Sequence, residues 1–202
     1  MNFRKQEEYK LALKEITEYF VYLFKNIDIN DMKIPNYFIS ASNQATEFDS
    51  QIYPNGCFNF SLSHGIAGPL FILLKSKRYG ILVEGIDDAI KNITYQICEY
   101  AYINDIGYYN FSGRISLENF INKKIDNSIS RASWCYGTPG IAKVLFDAND
   151  VIKSKEVYKV VKSSLDFIFK YPKYWGLVSP TICHGYGSIA VLLQSLRIHK
   201  ID

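Results

Sequence analysis

Three short motifs place side chains able to ligate metal or move protons directly before a glycine. They are Ser63-His64-Gly65, Cys135-Tyr136-Gly137 and Cys183-His184-Gly185. Cys135, Cys183 and His184 together suit zinc, which takes sulfur and imidazole donors in tetrahedral geometry. Three protein ligands leave a fourth position open, the pattern of a catalytic rather than a structural site. A fourth ligand from Cys57 or His64 would close it. There is no Cys-x-x-Cys pair, so the spacing is not that of a zinc finger. The plain alternative is that the glycines punctuate helix entries and the cysteines are small buried hydrophobes. Arg131 lies four residues before Cys135, where a guanidinium could stabilise a developing oxyanion or simply face solvent. Cys57 follows the turn-like Pro54-Asn55-Gly56 and reads as a packed or exposed free thiol. Cys98 reads as core, and His199 as an exposed residue near the C-terminus.

The elements that position these residues also repeat. The segments 65–75, 137–146 and 185–196 carry almost no charge and are apolar nearly all round, the mark of helices buried on every side. Each is entered through a glycine, and Gly65, Gly137 and Gly185 stand 72 and 48 residues apart. Glycine there would permit positive φ or close backbone approach. The residues just before these glycines would then face a common place at one end of the inner helices. Alternating with the buried segments are amphipathic ones. In 4–26 the apolar residues Tyr9, Leu13, Ile16, Phe20, Leu23 and Ile27 step by 4, 3, 4, 3 and 4. In 84–103 the face is Ile86, Ile90, Ile93, Ile97 and Tyr100. In 153–170 it is Val157, Val161, Leu165 and Ile168, with Pro172 as a stop. Residues 30–56 read mostly as loop, and 104–130 as a long loop with a short helix near 117–123. No alternating strand pattern stands out.

Composition excludes several classes. With 202 residues, 48% hydrophobic and 21% charged, the chain is an ordinary folded domain, neither disordered nor disulfide-dense. A net charge of +3 makes no strong case for nucleic acid. The polar N-terminus lacks an apolar signal region, and the uncharged stretch 50–74 is broken by Pro and Gly, so neither reads as a membrane segment. The expected compartment is the cytoplasm, where four cysteines read as free thiols or metal ligands before disulfides. The load of 16 Tyr and 13 Phe has no functional reading.

The three motifs in this order, with Trp134, Pro139 and Gly140 around the second and Leu62 to Pro69 around the first, resemble the lanthionine synthetase C-like cyclases. The resemblance covers nearly the whole chain, 1–202, but only the middle and later part of a typical member. It implies an all-α fold, an α/α toroid of inner and outer helices, of which this chain would hold about half. It implies Zn2+ held by Cys135, Cys183 and His184. It implies His64 as acid/base, Arg131 as enolate stabiliser and Tyr136 as an active-site tyrosine. The implied reaction is Michael-type addition of peptide Cys thiols to dehydroalanine or dehydrobutyrine in a dehydrated lanthipeptide precursor. Dehydratase and exporter partners, a peripheral position at the membrane, and pairing with a complementary fragment are further expectations. A family acidic residue lies upstream of the Ser-His-Gly motif, and neither Glu47 nor Asp49 is assigned its role. The alternative is a truncated, non-catalytic zinc- or peptide-binding protein. An all-α barrel enzyme acting on sugars or isoprenoids is disfavoured, because no paired carboxylates sit at the glycine stations.

Overall fold

The computed structural model describes residues 7–29, 31–125 and 131–197. His199 lies outside them. Eight helices dominate. The buried set is α3 (Ala67–Arg78), α6 (Thr138–Ile152) and α8 (Gly187–Arg197). Helix α6 packs against α3 on one side and α8 on the other. The amphipathic set packs outside it: α1 (Glu7–Leu23) on α3, α4 (Ile86–Glu99) on α3 and α6, and α7 (Lys155–Lys170) on α6. Helices α2 (Glu47–Ile52) and α5 (Leu117–Ile121) are short.

Local chemistry explains the boundaries. Helix α4 opens after Gly85, which is left-handed (φ +80), and carries Asp87 and Asp88 in its first turn, favourable to the helix dipole. Helix α7 is capped by Ser154, whose hydroxyl accepts from the Val157 N–H. Helix α3 ends in a Schellman arrangement. Gly80 (φ +74) donates its N–H to the Lys77 carbonyl, and the Ile81 N–H reaches the Ser76 carbonyl.

The inner helices differ in how fully they are covered. In α6 every residue from Thr138 to Leu145 is buried, because it alone has an inner neighbour on both sides. Even Lys143 is buried, and its ammonium lies 2.5 Å from Asp147 one turn on. Helix α8 departs from the expected all-round burial: Ala190, Leu193 and Gln194 are exposed, since only α6 flanks it within the inner set. Helix α1 also departs. Its only buried residue is Thr17, whose hydroxyl pairs with that of Ser76 at 2.8 Å, while Tyr9 and Ile16 stay exposed.

Three antiparallel ribbons, not expected from the sequence, connect the helices: β1 (Asn26–Ile29) with β2 (Met32–Pro35), β3 (Cys57–Asn59) with β6 (Arg114–Ser116), and β4 (Ala101–Ile103) with β5 (Tyr109–Phe111). So α1 stops before Ile27, α4 stops before residues 101–103, and 30–56 is less of a loop than its composition suggests. Each strand has three or four residues, too short for period-two alternation to emerge. Much of the aromatic load is packing. Phe58 stacks on Phe120 with centroids 3.8 Å apart, and Tyr100 lies over Phe120 at 5.3 Å. Among the described residues no helix is long and apolar enough to cross a membrane.

Candidate functional site

Each inner helix is entered by the same local structure: a three-residue turn, a glycine bend, then helix. The turns are 62–64, 134–136 and 182–184. None of Gly65, Gly137 and Gly185 has positive φ, so the conformational reason anticipated for them is replaced by close approach. A Cβ on Gly65 would meet the Asn59 carbonyl oxygen at 2.4 Å. On Gly137 it would meet that of Arg131 at 1.9 Å, and on Gly185 that of Ser179 at 2.1 Å. In all three the oxygen belongs to the residue six positions earlier.

The next station repeats the rule. Cβ atoms on Gly68 and Gly140 would meet the carbonyls of Leu62 and Trp134, again six residues back, at 2.8 and 2.0 Å. In the third copy that station holds Ser188, which departs from the glycine pattern. Its hydroxyl donates to the Ile182 carbonyl at 2.9 Å, six residues back. The serine therefore replaces a steric contact with a hydrogen bond and keeps the same turn.

Backbone hydrogen bonds bring the three turns side by side. The N–H groups of Leu62 and Ser63 both donate to the Cys135 carbonyl at 3.1 Å. The Cys135 N–H donates to the Cys183 carbonyl at 3.2 Å. A hydroxyl residue also recurs three positions before the last turn residue. Ser61 accepts from the His64 N–H and Ser133 from the Tyr136 N–H. Thr181 lies 3.2 Å from His184 Nδ1. The sequence signal was legible as Ser61, Ser133 and Thr181 at one offset.

Cys135 is buried and Cys183 exposed. The neighbouring Cys135 thiol, with some burial, pushes the Cys183 thiol up. Cys135 also points its thiol toward the Ser133 hydroxyl at 3.9 Å. His184 is exposed, and its Nδ1 contact with Thr181 leaves Nε2 for a further partner. The donor set suits zinc in type, and a backbone hydrogen bond sets two of its three members side by side. Among the described residues no three His, Cys, Asp or Glu side chains converge as a metal-holding group.

The His64 and Tyr136 rings stack with centroids 5.5 Å apart, joining the first turn to the second. Both residues face solvent, as does the side chain of Arg131. The Arg131 carbonyl accepts from the Ser133 N–H at 2.7 Å, so its backbone is held by the cysteine loop. Cys57 is fully buried in β3 beside Gln44, and burial raises its pKa. Cys98 is half-buried, and burial pushes it to about 12. Neither joins the thiol pair. Asp49 pairs with Arg114 at 2.6 Å, leaving it committed elsewhere. Burial would lower the Arg114 pKa, but Asp49 outweighs it and the net shift is upward, with Tyr136 a smaller contributor. A groove of about 690 Å3 between α4 and α7 includes Gln96, Glu99 and Glu156 but none of the glycine-station residues.

A family model described as "Lanthionine synthetase C-like protein" matches residues 1–198. The chain belongs to this family. It is similar to the nisin biosynthesis protein NisC of Lactococcus lactis subsp. lactis, with 27% identity over 175 residues, 82% of this chain and 40% of that protein. Its fold matches the solved structure of nisin cyclase with a TM-score of 0.82 at 23% identity, covering 94% of this chain and 46% of the other. The chain thus spans less than half the length of these relatives. The alternation of inner α3, α6 and α8 with outer α1, α4 and α7 is part of an α/α toroid, as the motifs led one to expect.

Proposed function

We propose that this chain carries the zinc-bearing part of a lanthionine cyclase. The observation that carries this reading is the hydrogen-bonded series of three turns, which sets Cys183 against Cys135 and His64 against Tyr136. Cys135, Cys183 and His184 would hold Zn2+, His184 through a rotation or loop adjustment that brings its ring to the thiol pair. Zinc, when bound, lowers the pKa of a coordinated thiol. About 3% of a free thiol is ionised at pH 7, so full ionisation accounts for at most about 30-fold in rate. The larger share comes from holding thiol and alkene in reacting geometry, which can contribute several kcal/mol, up to ~7–11 in ideal cases.

The reaction adds the peptide Cys sulfur to the β-carbon of dehydroalanine or dehydrobutyrine. The S–H bond breaks, a C–S bond forms, and the alkene electrons pass to an enolate whose α-carbon takes a proton. His64 delivers that proton or relays the one from the thiol. Stacking against Tyr136 limits the rotation of the imidazole. Arg131, held by its backbone next to Cys135, stabilises the enolate oxygen. Dehydratase and exporter partners and a cytoplasmic, membrane-peripheral setting follow from the same reading.

Two observations favour the non-catalytic alternative, a zinc- or peptide-binding module. Asp49 is taken by Arg114, and no third side chain joins the cysteines as a metal-holding group among the described residues. The exposed apolar residues Tyr9 and Ile16 on α1 and Leu193 on α8 are where further toroid helices would pack, in the same polypeptide or a complementary one. Incubation with a dehydrated precursor peptide decides between the two readings. Loss of free peptide thiol with no change in mass marks cyclisation. Binding with every thiol retained marks a binding module and ends the cyclase reading.

A further inference from the structure

One pair of cysteines is set apart from the other two. Cys57 is fully buried in β3, its backbone bonded to Ile39, and Cys98 lies near the end of α4. Cys135 and Cys183 sit in adjacent turns. The Cys135 N–H donates to the Cys183 carbonyl at 3.2 Å. Residues bonded across paired strands have Cα atoms about 5.5 Å apart. A disulfide spans roughly 4.4–6.8 Å between Cα atoms. The Cys135 thiol is also the leading influence on the Cys183 thiol, which puts both side chains on the same side of that backbone bond.

The two differ in access. Cys183 is exposed, whereas Cys135 is 5% exposed, with its thiol 3.9 Å from the Ser133 hydroxyl. An oxidant in solution reaches Cys183 first and meets Cys135 only through it. An accessible thiol with a resolving thiol beside it is the arrangement that converts a first oxidation event into a disulfide.

We infer that Cys135 and Cys183 form a reversible disulfide in the metal-free chain, with Cys183 as the point of entry for a low-molecular-weight disulfide. Cys183 Sγ attacks one sulfur of that molecule, its S–S bond breaks, and the departing thiolate takes the proton. Cys183 then carries a mixed disulfide. Cys135 Sγ attacks Cys183 Sγ, and the second small thiolate leaves with the Cys135 proton. Two protein thiols are oxidised, and one small disulfide is reduced to two thiols. A disulfide sulfur is no longer a thiolate donor, so the bond withholds both sulfurs from a metal. That this governs zinc loading rests on the reading above.

The test exposes the full chain, freed of metal with a chelator, to glutathione disulfide. Acid quenching and alkylation in denaturant trap the remaining thiols, and trypsin digestion follows without reduction. The expected product is one linked pair, residues 132–143 with residues 174–197, alongside alkylated Cys57 and Cys98. It should exceed the glutathione adduct on Cys183 by at least about tenfold, because the second thiol is held beside the first. Cys135→Ser should instead accumulate that adduct, and Cys183→Ser should leave the buried Cys135 unmodified. The linked peptides of the unaltered chain decide the matter should either variant fail to fold. A persistent adduct on the unaltered chain, linkage through Cys57 or Cys98, or four free thiols would overturn the proposal. The zinc content of the reduced chain is measured separately. Linkage without zinc binding would end the zinc reading and leave the disulfide standing, and zinc binding without linkage would do the reverse.

Discussion

Replacing Gly137 by Ala gives the sharpest test of why the glycine stations exist. Its φ of −106 and ψ of 179 are ordinary for any residue. On backbone freedom alone the change should stabilise the chain by about 0.4–1 kcal/mol, because alanine restricts the unfolded state. Close approach predicts the opposite sign. The new methyl would stand 1.9 Å from the Arg131 carbonyl oxygen and 2.5 Å from the Ser133 nitrogen, where Cβ contacts essentially never fall below 3.0 Å. Both obstacles are backbone, and neither can rotate away. Overpacking of this kind costs about 1–3 kcal/mol. Moving the Arg131 carbonyl also strains its 2.7 Å bond from the Ser133 N–H, worth about 1 kcal/mol. Less the unfolded-state gain, a net loss of about 2 kcal/mol lowers Tm by roughly 4–8 °C in a chain of this size. Differential scanning calorimetry measures it, with Gly80→Ala as the control. That position is open to space but left-handed at φ +74, and should lose only about 1 kcal/mol. An unchanged or raised Tm for Gly137→Ala would refute the close-approach argument and return the glycines to simple punctuation.

Ser188→Ala leaves the Ile182 carbonyl without its hydroxyl donor and should cost about 1–2 kcal/mol by urea denaturation; no loss would mean that the third turn does not depend on that bond. In metal-free protein, Cys183 should react first with a thiol reagent, and the buried Cys57 and Cys135 and the half-buried Cys98 slowly; added zinc should protect Cys183, which tryptic mass mapping of the modified sites reads directly. Tyr100 is pushed up to about 12 by burial and then by Glu99, and its hydroxyl donates to the Phe120 carbonyl at 2.7 Å. The raised pKa means that its stabilisation is whole below pH ~10 and is lost as pH climbs toward 12. Tyr100→Phe should therefore flatten the fall of Tm between pH ~10 and ~11.5, whereas a slope equal to that of the unaltered chain would contradict the assignment.

Much of this molecule was legible in the sequence because its signals are long or repeated. Helices α4 and α7 each show an apolar face over three or more turns, and the first half of α6 is apolar nearly all round save for Lys143, so type and burial followed together. The motif glycines marked the helix entries, although their reason is a carbonyl six residues back rather than positive φ. The ribbons leave little sequence signal because a pair such as Cys57-Phe58-Asn59 with Arg114-Ile115-Ser116 is three residues deep and joins strands far apart in the chain. The β1–β2 ribbon did leave a trace, with Ile27, Ile29, Met32 and Ile34 alternating around a two-residue connection that includes left-handed Asp31. Helix α1 misled in the other direction. Of its expected face, Tyr9 and Ile16 stay exposed while Phe20 packs against the core, and the one fully buried position is the neighbouring Thr17. The contact between Cys135 and Cys183 is set by a backbone bond between residues 48 positions apart, which periodicity cannot show.

Cys135, Cys183 and His184 are proposed to form one zinc centre. Zinc K-edge X-ray absorption on the purified chain addresses it without any assay of turnover. The expected spectrum reports one zinc per chain with two sulfur neighbours near roughly 2.3 Å and the remaining light-atom neighbours near about 2.0–2.1 Å. In Cys183→Ala a single sulfur should remain. Absence of zinc, a shell of four sulfurs, or an all-nitrogen-and-oxygen shell would contradict it.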